Sequence, residues 1–251
     1  MKINNFIEML EISFNIMGNE AVINPTLIRD DSNMILVDAG CPGQLPQIKD
    51  AIAKAGISFD KLDKVILTHH DIDHIGSISS ILNELPDVKV IAHEKEKSYI
   101  DGEECPIKLA QMENNLNLLS PQMKIVYEKL KAGFEKSKVN VDRTLTDGES
   151  LPYCGGIKVV FTPGHTLGHI CLYLEQYKIL IAGDALSVEN GMLCQMSSAT
   201  NFDMKLYIDS LKKLTAYDIE TVICYHGGMY DNNVNKAIKE LYNKLSNNNY
   251  L

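Results

Sequence analysis

The sequence lacks any apolar run close to the roughly 18 uninterrupted residues that a membrane-spanning helix needs. Its first twenty residues lack a basic leader and a small-residue cleavage site, and Glu8 and Glu11 interrupt their apolar stretch. The six cysteines include no C-x-x-C pair, and a chain of 251 residues needs no disulfide framework. We therefore expect a soluble, cytoplasmic protein with reduced thiols and no membrane association.

Positive charge is also scarce in this sequence. Lys and Arg number 24 against 33 Asp and Glu, which gives a formal net charge of -9. A surface of this sign repels a phosphate backbone. We therefore expect a small-molecule substrate and no nucleic-acid partner, and a homodimer is compatible with the sequence.

The pattern of apolar residues predicts an α/β protein. No internal repeat or low-complexity linker divides the chain, so we expect a single domain over residues 1–251. Apolar runs at 7–14, 25–28 and 34–37, separated by turn-forming residues, indicate a β-meander. Beyond them, helices are predicted near 44–55, 75–85, 203–214 and 232–245, and strands at 64–67, 88–92, 157–161, 170–174, 178–181 and 221–224. The polar tail at 246–249 is expected to fray.

A long helical pattern covers residues 99–139. Ser120, followed by Pro121, is predicted to cap the second of two helices. One apolar stripe comprises Met112, Leu116 and Leu119, and the other comprises Met123, Tyr127, Leu130 and Phe134. The stripes fit either helix packing or a lid over an active site; a lid of this composition favours a moderately apolar lactone, ester or thioester. Substitution of Met112 and Met123 would test the lid.

The densest group of polar residues is THHDIDHIG at 68–76, directly after an apolar strand. In an extended segment His69, Asp71 and Asp73 would point to one side, and the turn into the next helix can bring His74 to a second position. One loop can then hold two metal ions. The alternative is that Asp71 or Asp73 only caps the helix and the histidines face solvent.

Three further candidates also follow predicted strands. His165 lies in the segment TPGHTLGH at 162–169. Asp184 forms a Gly-Asp pair at the end of a predicted strand, and His226 is followed by two glycines at the end of another. Gly-Asp and His-Gly are ordinary turn dipeptides, so each is weak alone. Together they are stronger, because ligands of open α/β sheets usually bind at the C-terminal ends of the strands.

These motifs, in this order and beginning with Asp38 in VDAG, resemble those of the metallo-β-lactamase superfamily. The resemblance implies a four-layer αβ/βα sandwich with a helical insertion at about 99–139. It also implies that His69, Asp71 and His165 bind a first metal, that Asp73, His74 and His226 bind a second, and that Asp184 bridges both. Asp38 would orient a ligand loop without touching metal.

The sequence departs from the usual His-x-His-x-Asp-His pattern because Asp71 replaces the second histidine. Zinc is the first expectation, but the added carboxylate favours iron or manganese more than imidazole would. Flavodiiron proteins of the superfamily also place a carboxylate at this position.

The expected chemistry follows from two dications roughly 3.5–4 Å apart, which lower the pKa of a bridging water. Asp73 would orient that nucleophile and shuttle a proton. This predicts a metal-dependent hydrolase acting through a metal-bridging hydroxide on a small ester, lactone or thioester. The alternatives are a non-haem iron oxidoreductase acting on oxygen, nitric oxide or a persulfide, and a sensor that binds metal without turnover.

Other polar residues receive structural roles. His169 is expected to support the site without binding metal, His70 to face outward, and His93 to start a helix after a strand. Strand alternation predicts that Tyr225 points away from His226, so it is not assigned to catalysis.

Overall fold

The computed structural model describes residues 1–16 and 19–247. Within these residues, eight strands precede residue 150: β1 (Ile7–Met9), β2 (Ile12–Ile16), β3 (Asn19–Ile23), β4 (Thr26–Arg29), β5 (Met34–Val37), β6 (Lys64–Leu67), β7 (Lys89–His93) and β8 (Arg143–Leu145). Eight more follow: β9 (Ser150–Leu151), β10 (Ile157–Phe161), β11 (Ile170–Leu174), β12 (Ile179–Gly183), β13 (Ser187–Glu189), β14 (Met192–Cys194), β15 (Thr221–Cys224) and β16 (Gly228–Tyr230). The α-helices are α1 (Leu45–Lys54), α2 (Ile72–Ile75), α3 (Ile78–Glu84), α4 (Glu94–Asp101), α5 (Ile107–Asn114), α6 (Pro121–Ser137), α7 (Met204–Leu214) and α8 (Val234–Ser246).

The strands form two six-stranded mixed sheets and two hairpins. The first sheet has the order β1-β4-β5-β6-β7-β8 and is parallel from β5 to β8. The second has the order β16-β15-β12-β11-β10-β9, with one parallel pair, β12 and β15. The hairpins are β2-β3 and β13-β14.

The two sheets face each other and helices cover both outer surfaces. In β5, Ile35 and Val37 join the core between the sheets, whereas Met34 and Leu36 pack under helices such as α1 and α3. This alternation follows from the two-residue period of a strand, and burial on both faces explains the continuous apolar runs. Helices α7 and α8 cover the outer face of the second sheet. The predicted four-layer αβ/βα architecture is therefore correct.

Several predicted elements need correction. The first apolar run forms two strands, and β2 leaves the sheet to pair with β3. The helix predicted at 75–85 is instead α3, which begins at Ile78, while Ile75 ends the separate helix α2. At the junction Gly76 packs against Pro42, where a Cβ would lie 2.2 Å from Pro42 N. The short strands β8, β9, β13, β14 and β16 were not predicted, since two or three residues carry too little periodicity. Of the tail, Ser246 ends α8, and 248–249 lie outside the described residues.

The helical insertion contains three helices. Helix α4 begins before the predicted insertion, includes Tyr99, and ends at Asp101, where Gly102 follows in the left-handed conformation. His93 caps α4 through Nδ1, which accepts from Lys95 N at 3.2 Å, as predicted. Ser120 caps α6 as predicted, with Oγ accepting from Met123 N at 3.2 Å. None of the helices in the described chain is long and apolar enough to span a membrane.

Candidate metal centre

The structure brings all seven predicted site residues together at the edge where strands of both sheets end. The loop after β6 belongs to the first sheet, and the loops after β10, β12 and β15 belong to the second. Side chains from these four loops form two adjoining groups of potential ligands: His69, Asp71, His165 and Asp184, and Asp73, His74 and His226. Within each group, one ligand atom per residue lies within 4.8 Å of all the others.

The first group, called cluster 1, surrounds one oxygen of Asp184. His165 Nε2 lies 3.0 Å from Asp71 Oδ2 and 3.2 Å from Asp184 Oδ2. His69 Nε2 lies 3.5 Å from Asp71 Oδ2 and 4.0 Å from Asp184 Oδ2. Two imidazole nitrogens and two carboxylate oxygens thus face a common centre.

The second group, called cluster 2, faces the other oxygen of Asp184. His74 Nε2 and His226 Nε2 lie 3.3 and 3.4 Å from Asp184 Oδ1. His226 Nε2 also lies 3.3 Å from Asp73 Oδ2, and His74 Nε2 lies 3.9 Å from the same oxygen. Asp184 therefore presents one oxygen to each cluster.

Supporting hydrogen bonds turn the Nε2 lone pairs of three histidines into the clusters. His74 Nδ1 donates to Asp38 Oδ2 at 2.9 Å, and His165 Nδ1 donates to Asn201 Oδ1 at 2.9 Å. Thr68 Oγ1 donates to Asp38, so it accepts from His69 Nδ1 at 3.0 Å. A donor at Nδ1 leaves Nε2 free as an acceptor, which is the form that binds a metal ion.

Asp38 and His169 hold the ligand loops without joining either cluster. Asp38 is buried, adopts a positive φ of 64°, and accepts from the main-chain nitrogen of Thr68 at 2.8 Å. His169 Nε2 accepts from Asp184 N at 3.0 Å, which fixes the chain where the shared carboxylate begins. These contacts agree with the supporting roles predicted for both residues.

The electrostatic environment of the two clusters favours a bound cation. Burial would raise the pKa of Asp184, but His74 and His226 outweigh burial and hold it well below the usual range. Burial would lower the pKa of His226, but Asp184 and Asp73 raise it to about 10. Burial and the neighbouring His74 keep the pKa of His69 well below normal. Ionised Asp184 and neutral His69 are thus in the forms that ligate metal, whereas a metal ion in cluster 2 would have to displace the proton of His226.

Unpartnered atoms test whether these residues fit a metal ion. His69 Nε2, His74 Nε2 and Asp184 Oδ1 are buried and have no hydrogen-bond partner among the described residues. Although His74 Nε2 lies close to Asp184 Oδ1, their alignment does not satisfy a hydrogen bond. Because buried polar atoms without partners are costly, their convergence fits a cation held between them.

Two residues near the site lie where the sequence did not predict. His70 was expected to face outward, but it is buried, bonds to Glu96, and stacks on Tyr99 at 4.4 Å between ring centroids. Tyr225 was expected to point away from His226, but the two ring centroids lie 5.2 Å apart. Its ring packs against His74, with ring centroids 3.8 Å apart, and its hydroxyl donates to the main-chain oxygen of Asp73. His70 turns inward because the chain after β6 is a loop, where strand alternation no longer applies.

A cavity of about 280 Å³ opens over both clusters. Asp73 lines it, and the insertion contributes Lys108, Leu109, Leu130 and Phe134. The insertion therefore both packs on the core and covers the site. Met112 packs on the core, Met123 is 41% exposed, and neither lines this cavity. The prediction that these two methionines contact substrate is therefore wrong, and the insertion reaches the cavity through Leu109, Leu130 and Phe134 instead.

Lys108 was not identified from the sequence. Its Nζ lies against Asp71 Oδ2 and 3.2 Å from His165 Nε2. No motif surrounds this lysine in its helix, so the sequence gives no indication that it lies at the site. It is the one Lys or Arg among the described residues that line the cavity.

The family model for the metallo-beta-lactamase superfamily matches residues 18–226. The chain belongs to this superfamily. Its similarity to the probable metallo-hydrolase YflN of Bacillus subtilis is 29% identity over 230 residues, covering 85% of this chain and 83% of that protein. The hydroxyacylglutathione hydrolase of Buchnera aphidicola is 26% identical over 199 residues, covering 79% of this chain and 58% of that enzyme.

Solved structures of the superfamily share the fold. A metallo-beta-lactamase family protein from Thermus thermophilus aligns with a TM-score of 0.75 at 23% identity, covering 98% of this chain and 81% of that chain. A metallo-beta-lactamase from Pontibacter korlensis aligns with a TM-score of 0.70 at 17% identity, covering 98% of both chains.

Proposed function

We propose that the protein is a hydrolase that uses two divalent metal ions, zinc first among them, one in each cluster. The observation that carries this proposal is the placement of Asp184, whose two oxygens each face a different cluster. A carboxylate in this position can bridge two ions. The unpartnered Nε2 atoms of His69 and His74 support the same reading.

Bound there, two dications would supply a water of lowered pKa and stabilise negative charge on the substrate. The chain itself would position the remaining groups. Asp73 is partly exposed to the cavity and is the carboxylate placed to orient a water molecule and hold its proton. Tyr225 fixes the main chain of Asp73 through its hydroxyl, so the carboxylate keeps its direction.

The cavity favours a compact, largely apolar substrate. Ile72, Leu109, Leu130, Phe134 and Met196 provide apolar walls, and the volume suits a small acyl group. We propose a small ester, lactone or thioester. The name of the Buchnera relative states hydrolysis of an acyl conjugate of glutathione, which supports the thioester among these three.

A second candidate function is a non-haem iron oxidoreductase acting on oxygen, nitric oxide or a persulfide. Asp71 favours it, because its carboxylate enters cluster 1 where the usual pattern has an imidazole. Oxygen ligands suit iron and manganese better than a purely imidazole set does.

Elemental analysis by plasma mass spectrometry, on protein purified without added metal or chelator, tests the metal centre. We expect about two equivalents of zinc or manganese per chain, with a sharp fall in His69→Ala and Asp184→Ala. Asp87→Ala, an exposed carboxylate outside the clusters, is the matched control and should retain the metal. Two equivalents of iron with redox turnover would favour the oxidoreductase, and no metal even after reconstitution would overturn the proposal.

The reaction is tested by hydrolysis of phenyl esters, γ-lactones and acyl thioesters with the loaded protein. Turnover that disappears in Asp73→Asn while both metal ions stay bound would support the role of Asp73. Loaded protein that hydrolyses none of the three classes would contradict the hydrolase.

A further inference from the structure

Glu96 in α4 is a completely buried carboxylate that belongs to neither cluster. Burying a charge is costly unless partners replace the lost water. The structure supplies four such partners, and all of them come from the two loops that carry the histidines of cluster 1.

One oxygen of Glu96 holds the loop after β6. Glu96 Oε2 accepts from the main-chain nitrogen of His70 at 2.8 Å and pairs with His70 Nδ1. The ring of His70 also stacks on Tyr99, which extends from the same helix. His70 directly follows His69, so these contacts restrain the main chain from which the first ligand of cluster 1 extends.

The other oxygen holds the loop after β10. Glu96 Oε1 accepts from Thr166 Oγ1 at 2.7 Å and from the main-chain nitrogen of Gly168 at 2.6 Å. Thr166 directly follows His165. A Cβ on Gly168 would lie 2.7 Å from Glu96 Cγ, so only glycine permits this approach.

We propose that Glu96 is a positioning residue that fixes His69 and His165 relative to each other and so sets the metal affinity of cluster 1. The inference rests on the proposed function, because it requires that cluster 1 binds metal. Glu96 acts through His70 and Thr166 and does not itself ligate. Its contacts include neither His74 nor His226, so cluster 2 should be independent of it.

Both oxygens of Glu96, and not only its shape, are required. Its two oxygens accept from four donors, and the amide nitrogen of a glutamine would meet donors in either orientation. Glu96→Gln should therefore loosen one of the two loops while filling the same volume. Substitution of a residue that orients metal ligands typically lowers metal affinity about 10–100-fold.

The test measures the two clusters separately, in variants that each remove a ligand from one cluster and leave the other complete. In His226→Ala, cluster 1 keeps all its ligands; in His165→Ala, cluster 2 does. Zn²⁺ affinity is measured in each by competition with a chromophoric chelator. Glu96→Gln is expected to weaken binding about 10–100-fold in the first background and to leave it unchanged in the second. Glu94→Gln, an exposed glutamate on the same helix, is the matched control.

Thr166→Val removes one hydrogen bond and keeps the proposal testable if Glu96→Gln fails to fold. Equal weakening in both backgrounds would mean a general packing role, and unchanged affinity in both would show no role; either overturns the proposal. If neither background binds Zn²⁺ with Glu96 intact, the metal centre itself fails and this inference with it. Circular dichroism on each variant checks that the fold is retained.

Discussion

Asp71 illustrates how one side chain sets the character of a site. It extends from the loop after β6, and its Oδ2 faces His165 Nε2, His69 Nε2 and Lys108 Nζ at once. Burial would raise its pKa, but His165 and His69 hold it well below the usual range, so it is ionised. A permanent negative charge in cluster 1 strengthens binding of any cation and favours harder ions more than imidazole does.

Asp71→His, which restores the common pattern of the superfamily, is therefore expected to change metal preference. The ratio of zinc to manganese bound by cluster 1 should rise about tenfold, a difference of roughly 1.4 kcal/mol. The measurement is competition between the two ions in the His226→Ala background, with Asp87→Ala as the control. An unchanged ratio would mean that Asp71 does not reach the ion.

At the scale of elements, the candidate ligands were predictable because each follows a buried strand. The apolar runs before His69, His165 and Asp184 mark β6, β10 and β12, and ends of such strands meet at one edge. Lys108 and Glu96 were not predictable, because they lie on helices whose approach to the site depends on tertiary packing. The same limit explains why the two stripes did not show which members line the cavity. The stripe from Met123 to Phe134 does mark a helix, α6, but in the other stripe Leu116 and Leu119 lie beyond the end of α5 at Asn114.

Within helix α6 the structure distinguishes residues that the sequence grouped together. Leu130 lines the cavity, whereas Met123, on the same face two turns earlier, is 41% exposed and does not line it. Leu130→Ala should enlarge the acyl site and raise the preference for a hexanoate over an acetate ester. Since one methylene in an apolar pocket is worth about 1–3 kcal/mol, we expect at least a roughly tenfold change in the ratio of kcat/KM values.

Met123→Ala is the matched control on the same helix and should leave that ratio unchanged. Both variants are compared with the wild type using phenyl esters of increasing acyl length. Equal effects of the two substitutions would show that α6 acts on the site only through packing.

At the scale of the whole molecule, the site joins the two halves of the sandwich. His69, Asp71, Asp73 and His74 extend from the first sheet, whereas His165, Asp184 and His226 extend from the second. The carboxylates of Asp71, Asp73 and Asp184 therefore meet where the two sheets adjoin, in a chain whose formal net charge is -9. Without metal, the carboxylates are balanced by Lys108 beside Asp71 and by the proton that the raised pKa of His226 retains, whereas bound cations would link ligands of both sheets directly.

Metal removal is accordingly expected to lower the stability of the entire fold. Each ion at about 100 times its dissociation constant should contribute roughly 2.7 kcal/mol to the free energy of unfolding. Calorimetric Tm is measured before and after treatment with a chelator, with metal content verified on both samples. The control is Asp184→Ala, which should hold little metal and whose Tm should therefore change little on treatment with the chelator. An equal Tm for loaded and metal-free wild type would contradict the coupling of the two sheets through the site.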